Sequence, residues 1–202
     1  MRNMLATETY TMAGVPGHFS FALRVHTNGT YYSLANLMEQ GNEDFLKRIG
    51  FDPSGSLYKM YNALTSVSGN EKKTRRWEGT QDLQNLITGV TSADANTRLA
   101  YIYDNINLPE TINFAASKVV NSDHDCCHKN HYMYRDSEGT GEWSILPWDV
   151  DLSFGHVWNS RTNYFEDSLI TNVAPYVVNG HTLLNAMTNN PTLQSMWARR
   201  MR

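Results

Sequence analysis

"HDCCHKNHYMYRDSEGTGEWSILPWDVDLSFG", His124 to Gly155, gathers three His, both Cys of the chain and six acidic residues around two apolar runs. "HYMY" and "WSIL" alternate with a period of two, and "SEGTGE" between them supplies turn residues, so the stretch predicts a β-hairpin. Trp148-Asp149-Val150-Asp151 closes its second arm. Two chemistries compete for these side chains. His124, Cys127, His128 and His131 recur at three- and four-residue spacings, which suits one helical face and the ligand types of zinc. Asp125, Asn130, Asp149 and Asp151 instead offer hard oxygen donors suited to magnesium and phosphate. The zinc set lacks a distant Cys or His pair, and the chain has no His-Glu-x-x-His. Asp149 and Asp151 also have a plain structural use as turn and cap residues. On extended backbone they point to opposite faces, so both reach one metal only if the chain bends there.

Outward from this hairpin the patterning is that of a folded chain. The 202 residues carry 41% hydrophobic and 18% charged residues, enough to bury a core. A net charge of −3 gives no support to a nucleic-acid partner, and no apolar run is long enough to span a membrane. "EKKTRR", Glu71 to Arg76, reads as a solvated loop. "MRNMLATETYTMAG" lacks the apolar core and cleavage site of a signal peptide. Cys126 and Cys127 are neighbours, a spacing at which a mutual disulfide is rare, so they are expected to be packing residues. Asn28-Gly29-Thr30 fits a glycosylation acceptor pattern.

"HFSFALRVHTNGTYYSLANLMEQ" alternates on both sides of Asn28-Gly29, a strong hairpin signal. "EDFLKRIGF" follows at helical spacing, and "GSLYKMYNAL" reads as a further strand. From Thr80 to Lys118 the apolar period is helical, with Pro109 and Glu110 marking a helix start in "NLPETINFAA". "DSLITNVAPYVV" and "HTLLNAMTNNPTLQSMWARRMR" again read as helical. The layout is α+β: an N-terminal hairpin part, then a helical part carrying the second hairpin.

Asp125-x-x-x-x-Asn130 repeats the spacing of a kinase catalytic loop, in which Asp takes a hydroxyl proton and Asn holds a metal. "NSDHDCCHKNHYMYRD…GEWSILPWDVDLSFG", the "VHTNGTYYSLANLMEQGNEDFLKRIG…GSLYKMYN" segment and "YIYDNINLPETINFAASKVVNSD" together resemble the CotH kinase family, the atypical protein kinases related to spore coat protein H. The resemblance runs from about Gly14 to Gly155, with "ILPWDVDLSFG" as its strongest anchor. It implies an atypical protein-kinase-like fold that binds ATP and Mg, with Mn as an alternative, and phosphorylates Ser or Thr of a protein substrate. Carried onto this chain, it makes Asp125 the catalytic Asp and Asn130 the metal-holding amide. Asp149 or Asp151 becomes the metal-binding Asp, with the choice between them open. Lys59 becomes the ATP-phosphate lysine, and Glu39 a structural or pairing acid at the nucleotide site. The chain departs from the family at Ser33, where a second Gly is frequent, and it shows no Gly-rich phosphate loop. It is expected to be one domain, truncated at both ends. The alternative implied is an inactive CotH-like module for binding or surface and coat assembly; a zinc hydrolase is the third. An extracellular, cell-surface or spore-surface setting follows by analogy alone.

Overall fold

This computed structural model describes residues 2–123, 125–156, 178 and 180–202. Among the described residues are seven helices and two antiparallel sheets, the α+β layout expected. Helix α1 (Arg2–Met12) is not visible as an apolar stripe in the sequence. It is anchored through Ala6 and Tyr10, four residues apart and both fully buried.

Strands β1 (Ser20–Thr27) and β2 (Thr30–Met38) form the predicted ribbon. Asn28 and Gly29 turn it at φ 51° and 81°, the left-handed pair that a two-residue type I′ turn requires. The ribbon stands largely in solvent, with Tyr32 73% and Leu34 72% exposed. Helix α2 (Glu43–Arg48) follows, capped by the Asn42 side chain, which accepts from the Phe45 N–H at 3.0 Å. Its acidic start and basic end suit the helix dipole.

The second sheet has the order β4-β3-β5-β6 and joins β3 (Ser56–Met60), β4 (Glu71–Lys72), β5 (His131–Arg135) and β6 (Trp143–Pro147). Its register sets Lys59 opposite Tyr132, and Tyr132 opposite Leu146. Both faces are covered. Leu57, Tyr132, Tyr134 and Leu146 join Phe45 and Leu46 of α2 in one cluster, whereas Tyr58, Met60, Met133, Trp143 and Ile145 join the main helical core. That core is completed by α3 (Gln81–Val90), α4 (Ala95–Asn105), α5 (Leu108–Val120), α6 (Thr182–Thr188) and α7 (Pro191–Arg200). Helix α5 starts where Pro109 and Glu110 predict, capped by Asn107, and packs on α1, α7 and β6. Of the predicted "DSLITNVAPYVV" helix, all but Val178 lies outside the described residues. No described helix is long and apolar enough to cross a membrane.

The "EKKTRR" run is not a solvated loop throughout. Glu71 and Lys72 pair with β3, and the Lys72 ammonium lies 3.5 Å from Glu78 and 3.9 Å from Asp82. Lys73 is paired with Glu71, and Arg75 with Glu78 and Glu138. Asp82 and Glu138, which reach Lys72 and Arg75 from outside the run, are partners that a local reading of it could not anticipate.

His18, His131 and His181 are almost completely buried. Burial lowers His18 to about 3 and His131 to about 4, and takes His181 well below its ordinary value. The unfolded chain therefore takes up protons near pH 6.5 that the native state refuses. Stability from these groups is complete above about pH 6.5 and is lost as pH falls towards 4, by up to about 1.4 kcal/mol per pH unit for each histidine. Burial raises Glu110 to about 7, so its contribution runs the other way: it is full below about 4.5 and lost as pH rises through 7. The three histidines outweigh Glu110 together with Asp123 and the exposed Asp149, whose carboxyls are also raised. The urea midpoint is therefore expected to fall steadily from pH 6.5 to 4.5, and a flat midpoint over that range would contradict this account.

Candidate active site

Asp125 and Asn130 lie at the two ends of one short loop leading into β5. The Asn130 amide donates to Asp125 Oδ2 at 2.5 Å, and both side chains are mostly buried. An Asn amide that spends its NH2 group this way still has its Oδ1 lone pairs, the part of the side chain a hard cation takes. The other carboxylate oxygen, Asp125 Oδ1, lies 3.8 Å from the exposed His128 ring.

The hairpin brings the Trp-Asp-x-Asp segment to the same end. Because His131 pairs with Pro147, the next residues on each strand, Asn130 and Trp148, are also neighbours, and the Trp148 N–H donates to the Asn130 carbonyl at 3.3 Å. Asn130 and Asp149 both have left-handed backbone, at φ 61° and 54°. Non-glycine residues hold that conformation at some cost, and such strain gathers at functional sites. The Asp149 bend is the departure from extended backbone that two Asp residues one apart need before they can serve one ion. Burial raises the Asp149 carboxyl above its ordinary value, and the negative charge of Asp151 raises it further, while Lys129 and Lys59 oppose this. The segment thus places like charges close together, which a cation would relieve.

Lys59 projects from β3 beside this segment. Its ammonium lies 4.8 Å from the Trp148 ring centre and 5.3 Å from that of Tyr61, and among the described residues no carboxylate is paired with it. Glu39 is elsewhere engaged. It receives Arg48 Nε at 2.6 Å and Nη2 at 2.5 Å, and its Oε2 also accepts from the Phe19 N–H. Glu39, expected to be a structural or pairing acid, is paired with Arg48, which α2 delivers to the end of β2. His18 lies between these groups, donating from Nδ1 to the Glu39 carbonyl and stacked on Phe45 at 4.0 Å.

The helical face required by the zinc reading does not form. Residues 125–130 make a turn-rich loop, His131 begins a strand, and His124 lies outside the described residues. Cys126 and Cys127, expected to be unpaired packing residues, are buried and joined as a disulfide across a cis peptide bond. Among the described residues no three His, Cys, Asp or Glu side chains converge as a metal site.

Sequence reasoning missed Asp123, which is 1% exposed and underlies the loop. Its Oδ1 accepts the backbone N–H groups of Asp125 at 3.2 Å and Cys126 at 3.1 Å, while Oδ2 accepts the Tyr10 hydroxyl at 3.2 Å. Burial pushes its carboxyl up, and the charge of buried Lys118 opposes that. The local signal was available: an Asp accepting from N–H groups two and three residues on makes an Asx-type turn. Its links to Tyr10 and Lys118 had no such local sign.

The helices and two antiparallel sheets of the described residues make this an α+β protein. The family model described as CotH kinase protein matches residues 1–201. The chain belongs to the CotH kinase family, whose members point to kinase-like or spore-coat function. No curated protein matches the chain significantly.

Proposed function

We propose that this chain is an ATP- and divalent-metal-dependent protein kinase that transfers the γ-phosphoryl group to Ser or Thr of a protein substrate. The observation carrying the proposal is the Asp125–Asn130 hydrogen bond at one end of the β5–β6 hairpin, where the Trp148 N–H ties Asn130 to the strand that leads directly into the bent Asp149. Asn130 Oδ1 and the carboxylates of Asp149 and Asp151 are of the donor type that Mg, or Mn, takes. A bound Mg–ATP would supply the phosphoryl group and neutralise charge developing on it. Asp125 orients the acceptor hydroxyl and takes its proton on Oδ1, the oxygen not committed to Asn130. Lys59, with no carboxylate partner among the described residues, faces the phosphates, and Trp148 and Tyr61 limit its swing. Glu39 acts structurally, holding Arg48. On family analogy we also propose an extracellular or spore-surface setting.

The exposed aromatics of the β1–β2 ribbon, Tyr31 and Tyr32 among them, support a second reading as a coat-assembly module without catalysis. Thermal melting separates the two. A ligand that binds only the native state raises the melting temperature. ATP with Mg is expected to raise it, whereas ATP with EDTA is not, and Asp149→Ala/Asp151→Ala should abolish the rise. If wild type shows no Mg-dependent rise, the kinase reading fails and the assembly reading leads.

A further inference from the structure

Asn130 adopts an unfavourable backbone conformation, and something must hold it there. Its own carbonyl is tied by the Trp148 N–H at 3.3 Å. The peptide before it is held from the other side, because His131 Nδ1 lies 3.1 Å from the Lys129 carbonyl. That ring is itself held: His131 Nε2 lies 3.1 Å from Nε2 of His181, fifty residues away in sequence and, like His131, 0% exposed. His181 caps α6 by accepting the Leu184 N–H on Nδ1 at 3.3 Å.

These contacts admit one arrangement of protons between neutral rings. The Leu184 N–H is a donor, so His181 Nδ1 is bare and its proton sits on Nε2. That Nε2–H donates to His131 Nε2, which must be bare as well. His131 therefore carries its proton on Nδ1, and this donates to the Lys129 carbonyl. Each ring nitrogen has one partner and one role. The direction of the chain runs from the first turn of α6 to the peptide plane that precedes Asn130. The first residue of α6 is separately tied down, since the Thr182 N–H and hydroxyl both reach the Ala63 carbonyl.

We infer that His131 and His181 form a positioning pair that holds the Lys129–Asn130 peptide, and so presents the Asn130 amide to Asp125 and the site's cation. The inference rests on the proposed role of Asn130 as a metal-holding residue. Neither histidine touches a reacting group. Helix α6 thereby becomes part of the site's support, although its residues lie far from it in sequence.

Two variants separate positioning from general packing. His131→Leu fills the space without a donor, whereas His131→Asn restores a donor near the Nδ1 position. Amide hydrogen exchange at Trp148, which is bonded to Asn130, is expected to speed about tenfold or more in His131→Leu and to return close to wild type in His131→Asn. The Mg–ATP melting rise should follow the same order. Equal exchange in all three proteins, or equal loss in both variants, would overturn the inference. Should His131→Leu not fold, nitrogen-15 NMR of the wild type decides: Nδ1–H on His131 with Nε2–H on His181 is expected, and any other tautomer pair overturns it. A wild type with the expected tautomers and exchange but no Mg–ATP response would count against the kinase reading and leave the positioning of Asn130 standing.

Discussion

Asp123→Ala is expected to lower stability by about 3–5 kcal/mol, because three buried donors lose their acceptor at about 1–3 kcal/mol each. Native domains hold a total of only about 5–15 kcal/mol, so this single change approaches unfolding. Three losses act together. Lys118, 1% exposed, keeps its buried ammonium without the neighbouring negative charge. The N–H groups of Asp125 and Cys126 lose their acceptor, and Tyr10 loses the partner that ties α1 to the loop. Urea unfolding should show the midpoint falling with the slope unchanged. Asp123→Asn, which keeps an oxygen acceptor for those N–H groups, should recover much of the loss. A single-variant cost below about 1 kcal/mol would mean that Asp123 does not anchor the loop.

Asp125→Asn is expected to have the largest effect on chemistry. Removing a general base costs typically about 10²–10⁴-fold in rate. The change keeps the side chain's shape, and an Asn at this position still offers Asn130 an oxygen acceptor, so the melting temperature should change little. Transfer of labelled phosphate from ATP to a mixed Ser/Thr peptide pool, measured beside the wild type, tests this directly. A variant that keeps its rate would remove Asp125 from the catalytic role, and the next residue to substitute would be His128, which faces the same carboxylate.

How far each part of the molecule could be read in advance follows from how local its cause is. The Asn28-Gly29 ribbon, the α5 start at Pro109 and Glu110, and the β5–β6 hairpin all rest on signals within a few residues. So does the Asp-x4-Asn spacing. Helix α1 was missed because its buried contacts are few and its composition is Thr-rich, so packing and not periodicity holds it. Lys72 was misjudged because its carboxylate partners arrive from the loop before α3 and from α3 itself. The partner of Glu39 was not legible, because the arginine that takes it comes from the next helix. Asp123 needed Tyr10, at a separation of 113 residues, before its role was visible.

The sequence by itself determined the α+β layout, both hairpins and the set of oxygen-bearing side chains proposed for the site, since alternation, turn residues and caps act within a few positions of the chain. Only the tertiary structure decided which of those side chains meet. It bent the backbone at Asp149, turned the Asn130 amide onto Asp125, sent Glu39 to Arg48 and joined His131 to His181. Those outcomes depend on burial, where a polar group excluded from water must find its partner wherever the fold brings one near, at any distance along the chain.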